Sequence, residues 1–155
     1  MTTEVQEHAP QIHNRRARHE YHLLEKFEVG IVLAGTEVKS IRDGQAQLDD
    51  AFARVENDEV WLYGCHIAPY LPATLMNHEP KRPRKLLLHR REIRRLAVKL
   101  AERGGTTLIP LKIYWRRGFA KLELALAIGK SKADKRESIK ERETEREIRR
   151  EYAKN

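Results

Sequence analysis

Apolar and polar residues interleave along "YHLLEKFEVGIVLAG", where Leu23, Phe27, Val29, Ile31 and Leu33 share one period-2 face. That spacing predicts a strand with one face buried. Gly30 falls on the other face, where a missing side chain lets a strand bend as a closing barrel requires. The period changes in "GTEVKSIRDGQ": Val38 and Ile41 share an inner face, Thr36 stands at a capping position and Gly44 ends the run, so a short helix is expected. "AFARVENDEVWLYGCHI" reads as a hairpin around Glu56, Asn57 and Asp58, and "TLIPLKIYWRRGFAKLELALAIGK" as a second one turning at Arg117 and Gly118. Between them "HRREIRRLAVKLAERGG" is the clearest helix, with Ile93, Leu96, Ala97 and Leu100 as its core stripe and Gly104 and Gly105 as its stop. Strands, hairpins and short helices in one small unit predict a mainly β, α+β fold. The expected architecture is an OB-fold-like β-barrel, closed or partly closed, with short flanking helices.

Composition then divides the chain. Residues 1–18 are polar, end in the basic knot "HNRRARH" and read as a flexible arm. Residues 19–130 hold nearly all the large apolar side chains and form the expected RNA-binding barrel. Residues 131–155 are charged throughout, a tail expected to be disordered alone and helical when bound. A length of 155 residues suits one ordinary domain. The net charge of +8 predicts a polyanionic partner, because neutralising phosphates releases counterions. Membrane surfaces are anionic too, but no apolar run is long enough to span a bilayer, and "MTTEVQEHAP" lacks a signal-peptide pattern. The lone cysteine, Cys65, leaves no intramolecular disulfide and no thiolate cluster for a structural metal. The expectation is a cytoplasmic monomer with no membrane association.

Candidate chemistry is sparse. Cys65 and His66 are neighbours on an expected strand and therefore face opposite sides, which rules them out as a nucleophile–base pair. Asp49 and Asp50 read as a turn or cap, with no third ligand at helical or strand spacing. His78, Glu79 and His89 sit among Arg and Lys that repel a metal cation. There is no glycine-rich phosphate loop and no nucleophile elbow. No catalytic residue, metal site or cofactor is expected.

Basic residues fall into three groups. The first is the arm, Asn14-Arg15-Arg16-Ala17-Arg18-His19 leading into Tyr21, where guanidinium and aromatic planes suit unpaired bases and phosphates. The second is "PKRPRKLLLHRR", with Lys81, Arg82, Arg84 and Lys85 on a proline-stiffened loop, continued by Arg91, Arg95 and Lys99 along the outer face of the long helix. Within its Leu86-Leu87-Leu88 run, one leucine must face outward on a strand. The third is Lys112, Arg116, Arg117 and Lys121 on the last hairpin.

The run "NRRARHEY", then "FEVGIVLAGTEVKSIRDG", "RKLLLHRREI" and "DKRESIKERE", resembles the small protein B family, the SsrA-binding proteins that accompany transfer-messenger RNA (tmRNA) in bacterial ribosome rescue. The resemblance implies a non-enzymatic barrel that grips the tRNA-like domain of tmRNA. It implies entry into the A site of stalled ribosomes, with elongation factor Tu acting only through the charged tmRNA. The family's RNA-binding positions match at Asn14, Arg16, Arg18, His19 and Tyr21, and at Glu28, Leu87 and Lys121, with Arg84 and Lys85 beside them. Glu28 would accept hydrogen bonds from base or 2′-hydroxyl donors, Leu87 would offer an apolar platform and Lys121 would neutralise a phosphate.

The tail would enter the 16S rRNA decoding centre and mRNA channel through Lys130, Lys132, Ala133, Asp134, Lys135 and Arg136. Ser131 and Ala133 stand where the family pattern has a lysine and an aromatic or His. Further along, Lys135, Arg142, Arg146 and Arg149 share one side at helical spacing, while Ile139 and Ile148 point in different directions and form no docking stripe. Two other classes remain as alternatives: a ribosomal or general RNA-binding protein, which would have similar charge and a similar tail, and a small RNA-cleaving enzyme, for which the chain lacks an evident acid–base pair or metal cluster.

Overall fold

The computed structural model describes residues 9–73 and 76–154. Strands β2 (Tyr21–Ile31), β4 (Phe52–Glu56), β5 (Glu59–Tyr63), β7 (Arg84–Leu87), β8 (Thr106–Arg116) and β9 (Phe119–Gly129) form an antiparallel ring in the order β8-β4-β5-β7-β2-β9, closed by β8 pairing with β9. The β4–β8 seam rests on one registered pair, Ala53 with Leu108. Strand β1 (Ile12–His13) occupies the same sheet as a further partner of β8, and β3 (Ala46–Gln47) pairs with β6 (His66–Ile67) in a separate small sheet. Helices α1 (Ala17–Glu20), α2 (Gly35–Arg42), α3 (Arg90–Glu102) and α4 (Lys132–Lys154) complete the chain. This is the expected mixed α+β class, mostly sheet and partly closed.

Two tight turns build the hairpins. Asn57 and Asp58 both have positive φ, as do Arg117 and Gly118, the backbone that matches the twist of two paired strands. The barrel interior holds Val29, Ile31, Val60, Leu62, Leu86, Leu108, Ile113, Leu122 and Leu124, with Ile41 of α2 and Ile93 and Leu96 of α3 packed into the same core. Gly64 permits the chain to cross closely: with φ +72, a Cβ there would lie 2.6 Å from the Asp50 carbonyl oxygen.

Several sequence expectations shift. Strand β2 changes register between Leu23 and Glu25. The irregularity leaves Phe27, Val29 and Ile31 on the inner face but turns Leu23 outward, onto a satellite cluster of Ala17, Ile109, Ala125 and Ala127. Ala97 is exposed rather than part of the α3 stripe. Helix α2 begins two residues earlier than a Thr36 cap would allow: the Ala34 amide donates to Glu37 Oε1 at 2.8 Å, and the Thr36 hydroxyl engages His78 instead. His78 Nε2 donates to the Ile67 carbonyl, which only accepts.

The arm is also more ordered than expected over its second half. Ile12 is buried and pairs with Ile113, and α1 packs on the satellite cluster through Ala17. Residues 1–8 of the expected arm lie outside the described residues.

Candidate nucleic-acid interface

The alternation of a strand delivers one residue in two to the outer face, and four adjacent strands deliver a row. Leu87 on β7 lies opposite Gly30 on β2, Gly30 lies opposite Lys121 on β9, and Lys121 lies opposite Tyr114 on β8. Leu86 is buried and Leu87 is 52% exposed, so Leu87 is the outward-facing leucine of its run. A Cβ at Gly30 would stand 3.2 Å from Leu87 Cβ; the glycine leaves the space in which Leu87 lies across β2.

A second row crosses the same face one pair further along β2 and β9. Glu28 is opposite Glu123, and Glu123 is opposite Lys112. Like charges facing each other destabilise a sheet unless each is compensated. Glu28 accepts from the Tyr114 hydroxyl and from Arg116 Nη1 at 3.0 Å, while Glu123 sits 3.6 Å from Lys26 and 3.5 Å from Lys112. The Tyr114 hydrogen bond, aided by Arg116 and opposed by partial burial, holds the Glu28 carboxyl below the usual carboxylate range. Burial and the Glu28 charge push the Tyr114 phenol upward. Glu28 is therefore an ionised acceptor already engaged by the protein, and an RNA donor there has Tyr114 and Arg116 as competitors. The sequence reasoning missed Tyr114, whose signal was its period-2 place between Lys112 and Arg116; it also missed Phe119, 70% exposed beside the turn.

The arm lies on the same outer face, at the far end of the β8–β9 hairpin, where α1 covers Ala125 and Ala127. Asn14 is spent on holding it there: its Nδ2 donates to the Pro110 carbonyl at 2.8 Å, its amide to the Leu111 carbonyl at 2.8 Å, and its Oδ1 accepts from the Arg16 amide. Tyr21 packs on the satellite cluster with part of its ring accessible, and His19 is half-buried. Arg16 is exposed and lies 3.6 Å from Asp50. A cleft of about 460 Å³ between arm and sheet is lined by His13, Arg15, Arg18, Lys26, Lys112 and Glu123. Among the described residues Arg15, Arg18, Arg117 and Lys121 are cations without an ion pair.

The second basic group changes character. Arg84 is fully buried: it pairs with Glu37 and donates to the Cys65 carbonyl at 2.6 Å and the Pro80 carbonyl at 3.0 Å. Arg82 shares the same carboxylate. Arg84 thus has no surface to offer RNA, which corrects the expectation; a buried charge persists only when paired and hydrogen-bonded, and Glu37, which the sequence reasoning passed over, supplies that pairing. Lys85 stays partly exposed beside Trp61 and reaches Glu59 at 3.2 Å. Arg95 and Lys99 do not lie on a free outer face of α3 but bind Glu25 on β2.

Helix α4 buries none of its residues. Lys132, Ala133, Arg136, Arg142, Arg146 and Arg149 are exposed and Lys135 is half-buried, whereas Lys130 and Asp134 turn toward the barrel. Burial pushes the Cys65 thiol up to about 11, and its neighbour His66 is half-buried. Among the described residues no group of three or more His, Cys, Asp or Glu side chains is arranged to hold a metal, and no described helix is long and apolar enough to cross a membrane.

Comparison with known proteins places the whole arrangement. The family model described as SmpB protein matches residues 11–154. An SsrA-binding protein of Carboxydothermus hydrogenoformans is 58% identical over 87% of this chain and 90% of its own length. Another, from Pelotomaculum thermopropionicum, is 59% identical over 87% of this chain and 88% of its own. A solved structure described as "tmRNA-SmpB: a journey to the center of the bacterial ribosome" is similar with a TM-score of 0.68 and 49% identity, covering 84% of this chain and 95% of that one. With arm, barrel and tail all inside the matched span, the chain belongs to the SmpB protein family of SsrA-binding proteins.

Proposed function

We propose that the protein is a non-catalytic RNA-binding adaptor of trans-translation, binding the tRNA-like domain of tmRNA and bringing it to the A site of stalled ribosomes. One observation carries the reading: unpaired cations, the exposed Leu87 and the arm cleft share a single outer face on β7, β2, β9 and β8. Arg15 and Arg18 meet phosphates on one side of the folded RNA, while Lys121 and Arg117 meet them on the other. Leu87 supplies an apolar platform for an unstacked base. Relatives at 58% and 59% identity carry the name SsrA-binding protein, which supports tmRNA as the RNA.

The tail has a separate task in this reading. Lys135, Arg142, Arg146 and Arg149 line one side of α4 and face the 16S rRNA walls of the decoding centre and mRNA channel. Elongation factor Tu takes part only through the alanine-charged tmRNA, and the setting is the cytoplasm. Truncation after Lys130 tests the division of labour. Affinity for the tRNA-like domain should stay within about twofold while tagging of nascent chains on stalled ribosomes is lost. A matching loss of RNA affinity would contradict it.

A further inference from the structure

The outer face of β2, β9 and β8 sets an acid beside the cation that RNA binding needs free. Glu28 and Gly30 are alternate residues of β2 and share a face, and Lys121 of β9 lies opposite both Gly30 and Tyr114. Glu28 and Lys121 are therefore diagonal neighbours across β2 and β9, about 7–8 Å apart, a gap that long side chains span. An ion pair is the ordinary outcome of that placement. Here the acid bypasses the cation. Glu28 reaches over β9 to β8, where Oε2 accepts from the Tyr114 hydroxyl and from Arg116 Nη1 at 3.0 Å, and Oε1 accepts from the same Nη1 at 3.1 Å. Among the described residues Lys121 has no carboxylate within ion-pair distance, although its charge is near enough to favour the ionised form of Glu28. The other acid of the row, Glu123, is occupied by Lys26 and Lys112.

From this geometry we infer that Tyr114 is a positioning residue: with Arg116 it locks the Glu28 carboxylate over β8, and the lock keeps Lys121 available for a phosphate. The phenol suits the task because it donates without adding a charge. A lysine at this place would bring one more cation to the acid, whereas the tyrosine leaves Glu28 negative and aimed. Its ring is itself held, with the Lys112 ammonium 5.2 Å from the ring centre. Oε2 accepts twice and Oε1 once, so Oε1 keeps a lone pair for a single RNA donor, a 2′-hydroxyl or a base N–H. Without the hydroxyl, Glu28 swings toward Lys121 and neutralises it, and one change removes both an aimed acceptor and a free cation. The consequence for RNA rests on the function proposed above; the lock itself is measurable in the free protein.

Tyr114→Phe removes the hydroxyl and keeps the ring, so the barrel should give an unchanged circular dichroism spectrum. In the free protein, the carboxyl carbon of Glu28 is followed by NMR as pH falls. Its midpoint should lie below the ordinary carboxylate value in the unmodified protein and rise toward it in Tyr114→Phe, because the lost donor had favoured the ionised form. With the tRNA-like domain of tmRNA as probe, Tyr114→Phe should weaken binding about tenfold at physiological salt. The slope of log affinity against log salt should become shallower by roughly one, the mark of one lost phosphate contact. Adding Tyr114→Phe to Lys121→Ala should leave that slope where Lys121→Ala alone puts it, since the cation is already gone. A Glu28 midpoint that does not move in Tyr114→Phe, or slope changes that simply add in the double variant, would overturn the inference. The titration uses no RNA, so an unmodified protein without preference for the tRNA-like domain counts against the proposed function and not against the lock.

Discussion

At the scale of single residues, the interior charge cluster decides more than any surface pair. Burial works against the Glu37 carboxylate, but hydrogen bonds from the Ala34 amide, Arg82 and Arg84 outweigh it and hold the group below its ordinary range. Glu37→Gln leaves two guanidiniums uncompensated, one of them with no solvent contact. The expected cost is about 3–5 kcal/mol in urea unfolding. The pH dependence has a definite sign: with the folded pKa depressed, the unfolded chain binds the extra proton, so the contribution is present above about pH 4.3 and is lost as pH falls further. Denaturation midpoints that stay flat through that acid range in the unmodified protein, and a Gln variant of equal stability, would show that Glu37 does not hold this corner. The sequence hid this role because Arg84 sits among Lys81, Arg82 and Lys85, and only the fold separates the arginine that turns inward from the lysine that stays partly exposed. Leu87 was readable for the opposite reason: alternation in a three-leucine run forces one side chain out.

At the scale of elements, legibility followed the strength of the local signal. The hairpins were readable because Asn57, Asp58 and Gly118 are residues that take positive φ at small cost, and the structure puts both turns there. Helix α3 was readable from its period, although Ala97 fell outside the buried stripe. The register shift at Leu24 carries no glycine or proline to announce it, so Leu23 went to the wrong face. Strand β1 has two residues and owes its existence to β8, a partner some hundred residues away, which no local pattern encodes. Helix α4 was readable as a helix, yet its base contacts join residues distant in sequence. Because none of its residues is buried, its stability rests on those contacts and on its own backbone. Hydrogen exchange should therefore show protection falling steadily from Lys135 toward Lys154, with the far half near the unprotected limit. Uniform protection along the helix would mean that something other than the docked base holds it.

At the scale of the whole molecule, one face gathers what the RNA reading requires. Cations on the arm and on the β8–β9 hairpin are separated along two long strands, so on the proposed function a compact folded RNA would reach both while a short generic duplex would meet phosphates without the fit. On the proposed function, counterion release would give affinity to either ligand, and the spacing of the two patches and the Leu87 platform would give preference. Elsewhere some charges are balanced within the protein, as at Glu25 with Arg95 and Lys99 and at Glu59 with Lys85. The most direct test is a competition measurement at physiological salt, with labelled tRNA-like domain of tmRNA displaced by itself or by a generic RNA duplex, using the unmodified protein and a Leu87→Ala/Lys121→Ala variant. The account predicts a preference of about 100-fold or more for the tRNA-like domain, with most of that preference lost in the variant and its weak duplex binding only slightly changed. Equal, steeply salt-dependent binding of both RNAs by the unmodified protein would contradict it.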